Sequence, residues 1–510
     1  MSFLLERIAG FARDEPTRRA LSEGDRHLDY GSLWSQANAL AAQFVRSGLA
    51  PGERVALILP NSIEAVVATY ATWLAGGVIV PLNAQAKARD FEPWLLHSGA
   101  RIVVHEAAHP DAALAVQALA VQPLEIVVGE GTLPANALRW RDALAGDAPA
   151  AIIEIDEHAL AMIVYTSGTT GQPKGVMLSH ANLAANVESI VSYLGLTADD
   201  SIVSVLPFYY SYGASVLHTH LAVGAHLVIE SNLVFPHLMV ETMARERVTG
   251  FSGVPSTFVL LLNRVALEKY DLSSLRYVTQ AGGAMTPTTT TRLRAALPQA
   301  RVFIMYGQTE ATARLAWLPP DRIEEKPGSV GVPIPGVEIE IRSENGQPAA
   351  RFEVGDVYVR GANVMLGYWR DPDASAAVLQ DGWLRTGDMG HLDADGFLFL
   401  SGRRSDMIKT GAHRVHPNDV EEVIAELPGI VEVAVIGVDD DTLGQVIKAF
   451  IVVDTNTEVA IDRVKAHCRE RLAGYKIPKF IESVAALPKT ASGKIRRAQL
   501  AGSIEQREVP

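Results

Sequence analysis

Ten consecutive residues, Thr166-Ser-Gly-Thr-Thr-Gly-Gln-Pro-Lys-Gly175, hold three glycines, four hydroxyl side chains and one lysine. Glycine lets backbone N–H groups approach an anion, hydroxyls donate hydrogen bonds to it, and lysine supplies charge. Thr166, Ser167, Gly168, Thr169, Thr170 and Lys174 are therefore candidate contacts for a polyphosphate. A Walker loop is a different object, GxxxxGK followed by Ser or Thr. Counting from Gly168, Pro173 stands where the second glycine belongs, and Gly175 follows Lys174. A plain surface loop is the bland alternative. The apolar run Ala161–Tyr165 directly before it, with the look of a buried strand, favours a ligand-facing loop.

Three further segments carry chemistry. Met305-Tyr-Gly-Gln-Thr-Glu-Ala-Thr312 follows the apolar run Arg301–Met305. At the C-terminal end of a parallel strand such a turn faces a ligand crevice, and Glu310 is the kind of oxygen ligand that magnesium takes. Trp383-Leu-Arg-Thr-Gly-Asp388 ends in a carboxylate that can accept from both hydroxyls of a ribose, with Arg403 following. Lys489 to Arg497 is a basic run in a chain of formal net charge -13. A solvated tail is the usual explanation of such a run. Its position behind a phosphate-type loop favours a functional one.

Taken together and in this order, these segments resemble the adenylate-forming superfamily, which includes acyl-CoA synthetases, beetle luciferases and the adenylation domains of peptide synthetases. The resemblance runs from about Leu28 to about Gln499. It implies that Tyr306 stacks on adenine, Thr309 contacts the α-phosphate, and Glu310 with Thr170 holds Mg²⁺. It also implies that Gly282 and Gly283 lie along the adenine and acyl chain, Asp388 takes the ribose, and Arg403 braces the ribose and phosphate side. Lys494 would bridge the carboxylate and α-phosphate, making Lys494, Thr309 and Glu310 the catalytic set. ATP, Mg²⁺ and coenzyme A, or a carrier-protein phosphopantetheine, follow as cofactors and partners. Ser405 matches the hinge, where Asp or Lys is usual. Ala412 stands where glycine is usual beside the pantetheine path, which leaves the thiol acceptor open.

Leu206-Pro-Phe-Tyr-Tyr-Ser-Tyr-Gly213 resembles the family's acyl gate, with Tyr210 where many relatives place His. Tyr210, Ser215, Val254, Ala281 and Gly307 are the candidate acyl pocket. No Asp occurs between Leu206 and Leu221 to pair with an α-ammonium, and a buried unpaired ammonium costs several kcal/mol, so amino acids are poor substrates. The expected reaction is activation of a hydrophobic carboxylic acid, foremost a fatty acid, and transfer to coenzyme A. Loading of an acyl carrier protein is the rival. A catalytically silent nucleotide-binding regulator is the alternative from another class. Such proteins normally lose the magnesium carboxylate or the C-terminal lysine, and Glu310 and Lys494 are both present. His218 and His220, two residues apart on a helix, diverge and read as structural.

The elements that must position these residues follow from periodicity. Short apolar runs (Val55–Leu59, Arg101–Val104, Glu125–Val128, Ile202–Leu206, His226–Ile229 and Arg276–Gln280) alternate with amphipathic helical patterns, the signature of α/β sheets buried on both faces. After Pro327 the chain becomes Gly- and Pro-rich with short strands, and beyond Gly402 it is compact α+β. The expectation is an α/β fold. A large N-terminal domain, residues 1–404, has parallel-rich sheets flanked by helices and a small β-rich subdomain. A small mobile α+β C-terminal domain, residues 405–510, carries Lys494.

No charge occurs between Glu64 and Lys87, but Gly76-Gly77 and Pro81 interrupt the ~20 continuous residues that a membrane span needs. A helix Ile63–Leu74, a turn and a strand fit better. Glu6 and Arg7 break any signal peptide. The acidic balance disfavours nucleic acid, and the single cysteine, Cys468, permits no intrachain disulfide. The chain reads as a cytoplasmic protein.

Overall fold

The structure, a computed structural model, describes residues 2–146, 154–166, 174–230, 235–411, 413–440, 443–454, 457, 459–489, 495–497 and 499–501. Among these residues two large sheets dominate. The nine-stranded sheet runs Val332–Pro333, Ala316–Leu318, Arg301–Tyr306, Tyr277–Gln280, Gly250–Gly253, Ser201–Ser204, His226–Ile229, Arg19–Glu23 and Arg26–Asp29. The eight-stranded sheet runs Gly367–Tyr368, Lys174–Ser179, Leu160–Thr166, Val78–Pro81, Arg54–Ile58, Ala100–Glu106, Leu124–Val128 and Ala137–Arg139. Both are parallel through the middle and antiparallel at an edge. Parallel strands buried on both faces explain the continuous Val/Ile/Leu runs.

The uncharged stretch after Glu64 belongs to the core. Ser62 caps the helix Ile63–Leu74 by accepting from the Ala65 N–H (3.2 Å), and all twelve helical positions are buried. Trp73 donates its indole N–H to the Ala161 carbonyl (2.9 Å), tying this helix to the strand that leads to the phosphate-type loop. Gly76 turns the chain with φ +73°, and the strand Val78–Pro81 follows. No helix of the described residues is long and apolar enough to cross a membrane.

Beyond Pro333 comes an antiparallel five-stranded sheet built from Val337–Arg342, Gly355–Gly361, Leu379–Gln380, Trp383–Leu392 and Leu398–Arg403. From Ile408 onward the apolar residues form separate clusters, one around Ile408, Val420, Val435, Ile447 and Cys468, another around Ile436, Phe450, Leu487 and Leu500. Cys468 is buried, which pushes its thiol up to about 11 and suits an inert packing residue. The fold is thus a large α/β unit with a β-rich subdomain and a small C-terminal α+β unit.

Candidate active site

The nine-stranded sheet presents the C-terminal ends of four adjacent parallel strands to one edge. Ser204 leads to Tyr210, Gly253 to Val254, Gln280 to Ala281–Gly283, and Tyr306 to Gly307–Thr312. That edge is where an open parallel sheet binds ligands. Close backbone packing fixes the last loop. A Cβ on Gly307 would stand 1.9 Å from the Ala313 carbonyl oxygen, so only glycine fits there. Three residues past Thr309, Thr312 takes φ 65°, ψ -60°, and Ala313 N–H bonds the Ala311 carbonyl (2.7 Å). This is the rare γ-turn with positive φ, strained by about 1–3 kcal/mol. Thr312 Oγ1 donates to the Asn363 carbonyl (2.7 Å) and holds it.

Asp388 sits directly opposite Arg403 on paired antiparallel strands. Its Oδ2 accepts from the Tyr306 hydroxyl (2.6 Å), its Oδ1 lies 3.2 Å from Arg403 Nε, and its N–H donates to Thr386 Oγ1 (3.1 Å). Burial and the adjacent carboxylate push the Tyr306 phenol well above its ordinary value, so it stays a donor. The Asp388 charge, with Glu310 contributing, raises Arg403. A carboxylate at 8% exposure, oriented by a phenol and a guanidinium, is pre-aimed for hydroxyl donors.

Glu310 is held from the other side. Tyr368 donates its hydroxyl to Glu310 Oε1 (3.0 Å), and Lys174 Nζ lies 4.8 Å from the Tyr368 ring centre. Burial and the Glu310 charge push the Tyr368 phenol upward, so it too remains a donor. Thr166 and Lys174 are cross-strand partners, which brings the two ends of the phosphate-type loop together. Ser167, Gly168, Thr169 and Thr170 lie outside the described residues. Thr309 Oγ1 is 3.2 Å from Ser211 Oγ, at the start of the helix Ser211–Ala222.

Magnesium fits this arrangement. Among the described residues no group of three or more His, Cys, Asp or Glu side chains could hold a metal ion by itself. Magnesium bound with nucleotide phosphates takes only one or two carboxylates. Glu310, oriented by a neutral hydroxyl donor beside the Lys174 strand, is a carboxylate that would suit that role.

The acyl candidates surround the same loops. Val254 Cγ1 would lie 3.1 Å from a Cβ on Gly282, whose φ is +87°, and the Gln280 side chain donates to the Gly283 carbonyl (2.8 Å). Ala281 N–H reaches the Gly253 carbonyl (3.4 Å). Ser215 is buried and donates to the Tyr212 carbonyl (2.7 Å). Tyr210 packs on Tyr209, rings 4.4 Å apart. Two adjoining spaces lie in this region, and of the acyl candidates Ser215 alone lines one of them. One is lined by Leu57, Ile79, Phe208, Tyr209 and Leu217 among others; the second is lined by Ser211, Ser215 and Thr312 among others. They share Met162, Ala214 and His218.

Ser405 is exposed in the turn Arg404–Asp406 and donates to Asp406 Oδ1 (3.0 Å), while Arg404 Nε anchors the turn to Asp356 (2.7 Å). Lys494 and Ala412 lie outside the described residues. Their neighbours are tied down: Lys489 pairs with Glu432, and Arg497 with Glu421 (2.7 Å). The basic run is therefore anchored to the small C-terminal unit at both ends.

Sequence reasoning missed Tyr368 and Ser211. Tyr368 had no local signal, because its strand Gly367–Tyr368 reaches Lys174–Ser179 only by pairing between segments far apart in the chain. Ser211 lay inside the acyl-gate segment and was legible only as a small polar residue.

Comparison with known proteins identifies the family. Residues 8–369 match the family model of AMP-binding enzymes, and residues 419–494 match the AMP-binding enzyme C-terminal domain. A long-chain-fatty-acid–CoA ligase of Bacillus subtilis (strain 168) is 32% identical over 519 residues, covering 95% of this chain and 91% of the relative. A feruloyl-CoA synthase of Amycolatopsis sp is 34% identical over 490 residues, 96% of each chain. The structure of ATP-bound MatB from Rhodopseudomonas palustris superposes with a TM-score of 0.89 at 30% identity, over 99% of this chain and 100% of that one. With its N-terminal and C-terminal parts both matched, the chain belongs to the AMP-binding enzymes, the adenylate-forming superfamily that includes the acyl-CoA synthetases.

Proposed function

We propose that this protein is an AMP-forming acid–thiol ligase that activates a hydrophobic carboxylic acid, foremost a fatty acid, and transfers the acyl group to coenzyme A. The observation that carries this reading is one connected constellation. Asp388, Tyr306 and Arg403 meet on one side, and Glu310, Tyr368 and Lys174 on the other. Thr309 between them touches Ser211, which borders an interior space lined by both apolar and polar side chains.

In the first step a carboxylate oxygen of the acid attacks the α-phosphorus of ATP, and pyrophosphate leaves with the electrons of the broken P–O bond. Asp388 accepts the ribose hydroxyls, Tyr306 backs the adenine, and Lys174 with the Thr166–Thr170 hydroxyls faces the departing phosphates. Magnesium, when bound, neutralises phosphate charge, and Glu310 holds its place for it. Negative charge grows on the α-phosphate oxygens, where Thr309 donates and Lys494 supplies a cation that stabilises the transition state more than the ground state. In the second step the thiolate attacks the acyl carbonyl and AMP leaves. Residues 405–510 act as the mobile domain, with Ser405 the hinge that moves Lys494 out between the steps.

The relatives span alkyl and aryl acids, so the fatty preference rests on the apolar linings beside Ser211. Acid-dependent ATP–pyrophosphate exchange across short, medium and long fatty acids and benzoates tests the reading. Exchange peaking on an alkyl acid is expected, and none with any hydrophobic acid contradicts it. Offering coenzyme A and a phosphopantetheinylated carrier protein together, and weighing the thioester, tests the acceptor.

A further inference from the structure

The interior space beside Ser211 mixes apolar side chains with three hydroxyls that are engaged within the protein (Ser211, Ser215 and Thr312) and two groups that no described residue satisfies. His218 is 2% exposed and Asn186 1% exposed, and both line it. Among the described residues, His218 Nε2 and Asn186 Oδ1 have no hydrogen-bond partner. Leaving a buried donor or acceptor unmade costs about 1–3 kcal/mol each, so two such atoms on one cavity need an explanation. The neighbouring His220 shows the contrast: both its ring nitrogens are engaged, by the Val216 carbonyl (2.7 Å) and the Tyr277 hydroxyl (2.6 Å). It fits the structural reading of the pair, and His218 does not.

The hydrogen-bond polarity of the two atoms is assigned from the partners at their other ends. Tyr70 OH lies 3.0 Å from His218 Nδ1, and donating to it gives this buried phenol an acceptor. Nε2 then carries the ring hydrogen. Burial holds the imidazole at about 3, so it is neutral at pH 7. Asn186 Nδ2 donates to the Arg314 carbonyl (3.2 Å), which leaves Oδ1 as an acceptor. One donor and one acceptor on residues lining the same space complement a hydroxyl group, which can accept from one and donate to the other. His218 stands two helical turns beyond Ser211, about 10 Å along the axis at 1.5 Å per residue. The complementary hydroxyl is therefore remote from the carboxylate end at Thr309.

We propose that the preferred acid carries a hydroxyl on the distal half of its chain, read by His218 and Asn186. This rests on the acid–thiol ligase reading and narrows its substrate class. The shared wall of the two spaces, Met162, is a flexible side chain suited to admitting such a chain. The site would then discriminate by leaving its own polar atoms unpaired against a plain alkyl acid, a stronger device than fitting one more methylene.

The test compares decanoate with its positional monohydroxy isomers by pyrophosphate exchange, in the wild-type chain and in His218→Phe and Asn186→Leu. One isomer hydroxylated in the distal half should exceed decanoate at least tenfold in kcat/KM, and each variant should cut that ratio several-fold. Wild-type selectivity needs no variant, so a misfolded substitution does not shield the proposal. Equal use of decanoate and every isomer overturns it, as does a preference that survives in both variants; in either case the two buried atoms hold only water. Absence of exchange with every acid instead overturns the ligase reading itself.

Discussion

Asp388 has both oxygens engaged by protein groups, and Glu310 is gripped by a phenol backed by a lysine; across Thr309, His218 and Asn186 each keep one polar atom with no partner among the described residues. On the proposed reading, the described part of the nucleotide half is oriented before any ligand arrives, as catalysis by preorganised charge requires. On the proposed reading the acyl half is left incomplete, so that the ligand supplies the missing partner and its identity is read. One helix, Ser211–Ala222, borders both halves.

The comparison can be broken at several points. Lys494→Ala should lower acid-dependent pyrophosphate exchange about 10²–10³-fold, the scale for removing one transition-state charge contact. Thioester formation from synthetic acyl-AMP should remain within a few-fold, and equal loss of both steps would contradict a lysine that serves adenylation alone. Asp388→Asn keeps the shape but weakens hydrogen bonds worth about 1.5–3 kcal/mol each when the acceptor is charged. It should reduce kcat/KM for ATP by about 10²-fold, measured at saturating acid, with the acid preference unchanged. Tyr368→Phe removes only the hydroxyl on Glu310; exchange should fall about tenfold and need more magnesium, in line with other residues that orient metal ligands. A magnesium titration checks this.

The smallest effect concerns stability. Burial depresses His218 to about 3 and His180, His220 and His226 to about 4, below the ~6.5 of an unfolded chain. Between those values the unfolded chain binds more protons than the folded one, so stability present above pH 6.5 is lost as pH falls towards 4. Thermal melts from pH 7 to 4.5 should show a falling midpoint, and His218→Phe should make the fall shallower. An unchanged slope would place His218 among groups already protonated in the fold.

Much of the nucleotide half was legible because its residues come in short contiguous segments whose chemistry is local. The turn Gly307–Thr312 follows a strand of apolar residues, and Asp388 and Arg403 each stand in a recognisable segment. The strands Arg54–Ile58, Leu160–Thr166 and Arg301–Tyr306, and the helix Ile63–Leu74, were readable from period and punctuation for the same reason. What escaped depends on pairing across long separations. The hairpin Arg19–Asp29 joins the nine-stranded sheet beside His226–Ile229, and Tyr368 reaches Glu310 only because its strand adds to the Lys174 edge. The γ-turn at Thr312 carries no glycine to announce it. Nor could spacing tell His218 from His220, since what separates them is the partner each ring finds in the folded core.

The most direct test is a crystal structure with a non-hydrolysable acyl-sulfamoyl adenosine bearing a distally hydroxylated alkyl chain. The account predicts ribose hydroxyls on Asp388, the sulfamoyl group beside Thr309, and the chain running past Ser211 to place its hydroxyl between His218 Nε2 and Asn186 Oδ1. Nucleoside bound away from Asp388 and Tyr306 would contradict it.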